Sequence, residues 1–278
     1  MVKSDKDNEK VIQIEKPIIT IVTVVYNAVD LIEDTIQSVL SQSFEQKEYI
    51  IIDGGSKDGT VDVIRRYEKQ LEYFVSEPDR GIYDAMNKGL AQAKGEWLSF
   101  MNAGDTFYDH HVLSHVFQDF AVKVFDKDVK IVYGNVAMKI ADHPDIIKRL
   151  ENISREKEPF SLNHQSTFTR TDFLKEIGGY DTTYKIAADA NSFYEAYKRG
   201  YRFVHVPVVI SSYEAAEGFS AVNPMRMFRE FSRIKGDKMT SFGWWKGFVK
   251  ATLLTLLNSF PQKMSEKILS RYINWRVK

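Results

Sequence analysis

From Ile18 to Val25 the chain is β-branched at every position, Ile18-Ile19-Thr20-Ile21-Val22-Thr23-Val24-Val25, and the run stops at Tyr26-Asn27. Such a run suits a strand, and Ile32, Ile36, Val39 and Leu40 follow at helical spacing. The plan then repeats. Glu48-Tyr49-Ile50-Ile51-Ile52-Asp53 predicts a second strand, running into Gly54-Gly55-Ser56-Lys57-Asp58-Gly59-Thr60 and a helix through Val63, Ile64 and Tyr67, with Ser56 or Asp58 as its cap. Tyr73-Phe74-Val75 predicts a third strand, then Asp79-Arg80-Gly81 and a helix with Ile82, Met86, Leu90 and Ala93 on one face. Gly95 stands where a left-handed helix stop is expected. Trp97-Leu98-Ser99-Phe100-Met101 is the fourth strand, and four βα-type units in succession predict a mostly parallel sheet with helices on both faces. The fourth strand runs out at Asn102-Ala103-Gly104-Asp105.

After Thr106 the rhythm changes. Val112 to Phe125 reads as helix, Lys130 to Met138 as strand, and Asp142 to Glu158 as a polar, irregular or hairpin insertion. His164-Gln165-Ser166-Thr167-Phe168-Thr169 precedes a helix near Asp172 to Ile177, the turn Gly178-Gly179-Tyr180-Asp181 and a helix from Ala188 to Arg199. Two short strands, Arg202 to Val206 and Val208 to Tyr213, are expected to close the globular part. The pattern therefore divides the chain into an arm (1–16), a first half (17–107), a second half (108–220) and a C-terminal helical extension (221–278).

Composition sharpens that division. With 278 residues, 44% hydrophobic and 13% aromatic, the chain can bury a sizeable core. It has no cysteine, which excludes disulfides, thiolate metal sites and thiol nucleophiles. The arm alternates Lys with Asp and Glu and lacks the apolar centre of a signal peptide. No stretch reaches the roughly 18 apolar residues that a membrane span needs. The formal charge of zero hides an asymmetry: from Arg226 onward there are 12 Lys and Arg against 3 Asp and Glu, an excess of nine that the rest of the chain offsets. Trp244, Trp245, Phe248, Leu253, Leu256, Leu257 and Phe260 are interleaved with Lys246 and Lys250. Lys263, Lys267, Arg271 and Arg276 follow Pro261. This extension reads either as a peripheral contact with an anionic membrane surface or as helices packed on the domain or in a homodimer interface.

Candidate chemistry gathers at the predicted strand ends. Asp53, followed by two glycines, is either a loop and helix cap or a carboxylate open to a flat ligand such as a base or ribose. Asp79, Arg80, Asp84, Asn87 and Lys88 crowd the start of one helix; Asp84 and Lys88, at i and i+4, either pair on a solvated face or meet an anion at the helix N-terminus. Asp105 is a turn residue or an oxygen ligand for a hard divalent cation. His164 is a hydrogen-bonded partner, a ligand or a base. Asp189, among small residues at a helix start, is a cap or a general base. Neither a GxGxxG fingerprint nor a Walker loop is present.

In this order and spacing, the segments resemble family 2 glycosyltransferases of the GT-A fold, inverting enzymes of bacterial polysaccharide biosynthesis. The resemblance spans about Ile18 to Ser220. It rests on Thr23-Val24-Val25-Tyr26-Asn27, Ile51 to Thr60, Asp79 to Gly89, Asn102-Ala103-Gly104-Asp105, His164-Gln165-Ser166, and Gly179-Tyr180-Asp181 before Ala188-Asp189. It implies a Rossmann-like α/β sheet and a nucleotide-sugar donor, UDP-linked. Asp53 would bind the base with Thr23, Tyr26 and Asn27 around it, and Asp79, Asp84 and Lys88 would contact the nucleotide or donor sugar. Asn102 would also stand on the donor side, Asp105 would hold Mn2+ or Mg2+ on the diphosphate, and Asp189 would be the general base. His164 and Gln165 would face a glycan or lipid-linked acceptor, and Gly218-Phe219-Ser220 would close over the donor. A cytoplasmic location, on or off the inner membrane face, goes with that role.

One departure matters: the family's Asp-x-Asp metal motif here begins with Asn102, leaving Asp105 as its only carboxylate. Glu214 and Glu217 are candidates to complete the metal shell. The departure also admits a catalytically silent nucleotide-sugar-binding or scaffolding protein of the same fold. A sugar-phosphate nucleotidyltransferase is disfavoured because no Gly-rich basic loop precedes the first helix. Nucleic-acid binding is disfavoured because the tail's aromatics cluster with Leu and form no stacking module.

Overall fold

The computed structural model describes residues 16–139, 145–154, 158–214, 223–236 and 242–257. Strands β1 (Ile19–Val25), β2 (Lys47–Asp53), β3 (Tyr73–Ser76) and β4 (Trp97–Phe100) pair in parallel in the order β3-β2-β1-β4. Every residue of β1 is buried. Ile19, Ile21 and Val25 pack with helices α1 (Ile32–Leu40) and α2 (Thr60–Arg65), whereas Val22 and Val24 pack with α3 (Ile82–Gln92) on the opposite face. Strand order reverses at β1, with β2 on one side and β4 on the other. This is the switch point of an open α/β sheet, where ligands lie beyond the carboxyl ends of the strands.

The second half of the sheet is mixed. After β5 (Thr106–Phe107), a short helix α4 (Val112–Ser114) passes through a π-helical turn, His115–Asp119, into α5 (Ala121–Val124), so the predicted Val112 to Phe125 helix is broken rather than continuous. The long strand β6 (Val129–Lys139) pairs antiparallel with β7 (Ile146–Lys148) and with β8 (Thr167–Arg170), and β8 joins it to β4. The polar insertion is thus a hairpin in its described part. Helices α6 (Thr171–Glu176) and α7 (Ala188–Lys198) precede β9 (Arg202–Glu214), which runs parallel to β6 and carries β5 on its other edge.

Three local expectations change. The two strands expected on either side of Pro207 are one, β9. The register with β6 shifts between Tyr133 and Asn135, and Pro207, which has no N–H to give a ladder, falls in that irregularity. Gly134 lies opposite it, where a Cβ would come within 2.6 Å of Val208 O. Gly95 is not a left-handed helix stop, since its φ is not positive. It is small because a Cβ there would stand 2.5 Å from Thr20 N, and its N–H and that of Lys94 donate to the buried Glu48 carboxylate at 3.1 and 2.6 Å. At the start of α2 neither Ser56 nor Asp58 is the cap: that position is Gly59, with φ 102 and no side-chain cap hydrogen bond, while Asp58 one residue earlier accepts from Thr60 N at 3.0 Å and Ser56 is tied to Asp53.

The C-terminal helices pack on protein in their described part. Helix α8 (Pro224–Lys235) lies against α7, and α9 (Phe242–Leu257) lies against α8, with Phe228 5.3 Å from the Trp244 ring and 6.1 Å from Phe248. Among the described residues no helix is long and apolar enough to cross a membrane. The arm, Glu217, the Gly218-Phe219-Ser220 segment and the tail from Asn258 lie outside the described residues.

Candidate active site

Side chains from β1, β2 and the loop after β3 meet on one side of the switch-point crevice. Tyr26, just past β1, is 65% exposed and its ring edge lies beside Gly54. Asn27 takes a left-handed backbone (φ 46), from which its N–H donates to Ser56 Oγ at 2.7 Å and its Oδ1 accepts from Lys57 N at 3.0 Å. Asp79 sits over Gly54, where an added Cβ would lie 2.5 Å from its Oδ2, while its Oδ1 accepts from Gly81 N. The absence of a side chain at Gly54 therefore lets Tyr26 and Asp79 flank the same stretch of backbone, a cradle with Gly54 as its floor.

Asp53 stands beneath that cradle rather than in it. It is fully buried, its Oδ2 accepting from Gly55 N, Ser56 N and Ser76 Oγ at 3.0, 2.9 and 2.6 Å and its Oδ1 from Ser56 Oγ at 2.5 Å. A carboxylate so engaged organises the loop; a direct bond to a base would compete with those donors. Thr23 lies apart from the cradle, fully buried in the sheet, donating to Met101 O at 2.7 Å and sharing a hydrogen bond with Tyr49 Oη at 2.8 Å. Asp84 and Lys88 do not pair with each other. Arg80 donates to Asp84 Oδ1 at 2.8 Å, and Lys88 reaches Glu77 at 2.7 Å and Pro78 O at 3.1 Å, which ties α3 to the loop carrying Asp79.

On the other side, three expected residues form a file. His164, in a short 3-10 turn before β8, places Nε2 3.8 Å from Asp105 Oδ2 and Nδ1 3.5 Å from Asp189 Oδ2. Asn102 Nδ2 lies 2.9 Å from the same Nε2. Burial alone would lower the imidazole pKa, but hydrogen bonds and charge from Asp105 and Asp189 outweigh it and push it up to about 10. A charged ring donates from both nitrogens and would call for the Asn102 oxygen. A neutral ring keeps its proton on Nδ1, toward Asp189, and accepts from the amide. As placed, the amide turns its nitrogen to Nε2 and leaves Oδ1 buried with no hydrogen-bond partner; flipped, that oxygen would accept from the charged ring that the raised pKa favours.

That orphaned oxygen, beside a carboxylate held 15% exposed, suits a hard divalent cation, which takes oxygen ligands and would itself favour the neutral ring. Among the described residues no group of three or more His, Asp or Glu could hold a metal unaided. Oxygens of a bound diphosphate and water would have to complete such a shell. Gln165 is buried beside His164.

Two tyrosines join the site without having been singled out. Tyr83 Oη donates to Asp189 Oδ1 at 3.1 Å; burial, with the Asp189 charge, raises its pKa well above the usual phenol value. Tyr213 on β9 is pushed up to about 12 by burial, with Asp105 adding and Asn163 opposing. In the sequence Tyr83 is one more large residue on the apolar side of α3, and only the distant Asp189 distinguishes it from core.

These side chains gather at the switch point of an open α/β sheet, where proteins of this architecture bind their ligands. A model described as glycosyl transferase family 2 matches residues 20–188, and the chain belongs to that family. It is 33% identical over 184 residues to an uncharacterised glycosyltransferase of Mycobacterium tuberculosis, a match covering 62% of this chain and 66% of that one, about two thirds of its length. Over 93 residues it is 41% identical to a putative teichuronic acid biosynthesis glycosyltransferase, TuaG, of Bacillus subtilis, covering 32% of this chain and 37% of TuaG. The fold is shared with Staphylococcus aureus TarS 1-349 solved in complex with UDP, at TM-score 0.63 and 16% identity over 85% of this chain and 69% of TarS.

Proposed function

We propose that the chain transfers a sugar, with inversion, from a UDP-sugar to a glycan or lipid-linked acceptor in cell-surface polysaccharide assembly. The observation that carries this reading is the Asp105, His164, Asp189 file beside the Tyr26, Gly54, Asp79 cradle. The cradle seats the base, with Asn27 and Asp53 holding its two loops together, and Asp79, Asp84 and Lys88 border the ribose and donor sugar. Residues 17–107 serve mainly the donor and 108–220 mainly the acceptor, with the start of α3 bordering both. The basic extension, 221–278, brings the site to an anionic membrane surface, and Trp245 and Val249, both exposed on α9, belong to that contact. UDP in the TarS structure and the teichuronic acid assignment of TuaG support the donor and pathway class.

Asp189 removes the proton of the acceptor hydroxyl, which attacks the anomeric carbon opposite the leaving diphosphate, so one displacement inverts the configuration. Tyr83 and His164 hold the carboxylate toward that hydroxyl. When bound at Asp105 and Asn102, Mn2+ or Mg2+ supplies charge to offset the departing diphosphate.

Incubation with a panel of UDP- and GDP-sugars, with Mn2+ and with a chelator, tests the reading. The expected result is UDP release that the chelator suppresses and, with an accepted acceptor, a product of inverted anomeric configuration by NMR. A retained configuration overturns the mechanism. Tight UDP-sugar binding with no release from any donor favours the silent binder that Asn102 admits.

A further inference from the structure

A cavity of about 320 Å3 opens between the start of α3, the loop before α7 and the start of α8. It is close to the lower size of ligand pockets, enough for one sugar ring or one phosphoryl group and its linker. Arg80, Lys185 and Arg226 line it with Tyr83, Tyr184 and Asp84. Three different segments thus place exposed cations at the rim of one space whose wall is mostly apolar. Arg80 is engaged by Asp84 at 2.8 Å, and among the described residues Lys185 Nζ reaches only Thr182 O, at 3.3 Å. Arg226, exposed on α8, makes no hydrogen bond or ion pair among the described residues. The N–H groups of Ile82 and Tyr83, at the open end of the 11-residue helix α3, also have no acceptor among the described residues.

Position gives the cavity its meaning. Tyr83 forms part of its wall and donates to Asp189 Oδ1, so the cavity is one side chain away from the proposed base. None of Asp105, His164 and Asp189 lines it, so Tyr83 is the side chain that the cavity and the file share. Three cations against one carboxylate leave an excess of two positive charges. A phosphate monoester dianion matches that excess, presents several oxygens to separate donors and suits an open helix N-terminus. A sugar carboxylate would match half of it.

We propose that this cavity seats a phosphoryl group of the acceptor, either the phosphate of a glycosyl phosphate or that of a lipid carrier. The assignment rests on the glycosyltransferase reading, because it is Asp189 that makes this the acceptor side. A phosphate held by Arg226 and Lys185 places the saccharide attached to it along Tyr83, with a hydroxyl within reach of Asp189.

The test uses the full chain saturated with UDP and Mn2+, so that the donor site is closed, and titrates glucose 1-phosphate, geranyl phosphate, glucuronate and methyl glucoside by calorimetry. Both phosphates are expected to bind and methyl glucoside is not. The double variant Lys185→Ala/Arg226→Ala is expected to weaken the phosphates by about tenfold, two partly screened charges being lost. Arg229→Ala, on the same helix outside the cavity, should bind as wild type. Geranyl phosphate binding more tightly than glucose 1-phosphate identifies a lipid carrier, and equal binding a soluble glycosyl phosphate. Glucuronate binding as well as the phosphates, or phosphates binding the double variant undiminished, overturns the proposal. A parallel loss of UDP affinity in the double variant also overturns it, by making the cavity part of the donor site. Failure of UDP to bind wild type is a separate result and removes the functional reading beneath it.

Discussion

Asp53 and Asp189 are both carboxylates at the mouth of one crevice, yet they are provided for in opposite ways. Asp53 is fully buried and accepts from four donors, all on its own loop or the neighbouring β3 end. Asp189 keeps 14% exposure and receives one hydroxyl and one imidazole, and the imidazole is shared with Asp105. A carboxylate whose oxygens are all bonded within the fold is committed to holding a shape. One left short of donors retains capacity for a proton, a cation or a substrate hydroxyl. The Asp53 side is therefore a prebuilt cradle, and the Asp189 side is where carboxylate capacity is left unused.

The largest expected effect breaks the second member of the pair. Asp189→Asn keeps an oxygen for Tyr83 and similar volume but cannot take a proton, so kcat falls by about 10²- to 10⁴-fold while UDP binding and Tm stay at wild-type values. Turnover measured under donor saturation, beside calorimetry with UDP, reads the two separately. Wild-type kcat in this variant would return Asp189 to the role of a helix-start residue.

Asp53→Ala should do the reverse. It strands two backbone N–H groups and two serine hydroxyls around a buried hole, at a cost of about 2–4 kcal/mol. A lower Tm and weaker UDP binding are expected together, and added ligand should restore part of the loss. If Tm is unchanged and UDP binding alone disappears, Asp53 is a ligand group and the contrast with Asp189 collapses.

The contrast also explains what could be read in the sequence. The parallel half of the sheet was legible because Ile18 to Val25 and Glu48 to Asp53 are apolar at consecutive positions and each ends on a loop signal, so strand and crevice edge both follow from local pattern. Asp53, Asp105 and Asp189 were legible as strand-end or helix-start carboxylates, and order along the chain brought the family into view. Their surroundings were not. Whether a carboxylate meets four donors or two depends on Ser76, His164 and Tyr83, which lie 23, 25 and 106 positions from the acids they touch. Gly95 and Gly134 fail in the same way: a tight approach to Thr20 or Val208 looks, in one dimension, like a turn or a weak strand position. Pro207 was read as a break because the bulge that accommodates it is set by the partner strand β6.

The smallest effect sharpens the cradle itself. Tyr26 is 65% exposed, so removing its ring costs the folded protein little. A large exposed aromatic beside a side-chain-free Gly54 offers its face to a flat group, and stacking of a base on such a ring is worth about 1–3 kcal/mol. Tyr26→Ala should therefore weaken UDP by about tenfold at the middle of that range, leave Tm unchanged and leave kcat at saturating donor near wild type. Tyr26→Phe should recover the affinity, since the face of the ring and not its hydroxyl makes the contact. Equal affinities of Tyr26→Ala and wild type for UDP would move the base out of this cradle, and Asp53 would then be holding together a loop that serves some other part of the donor.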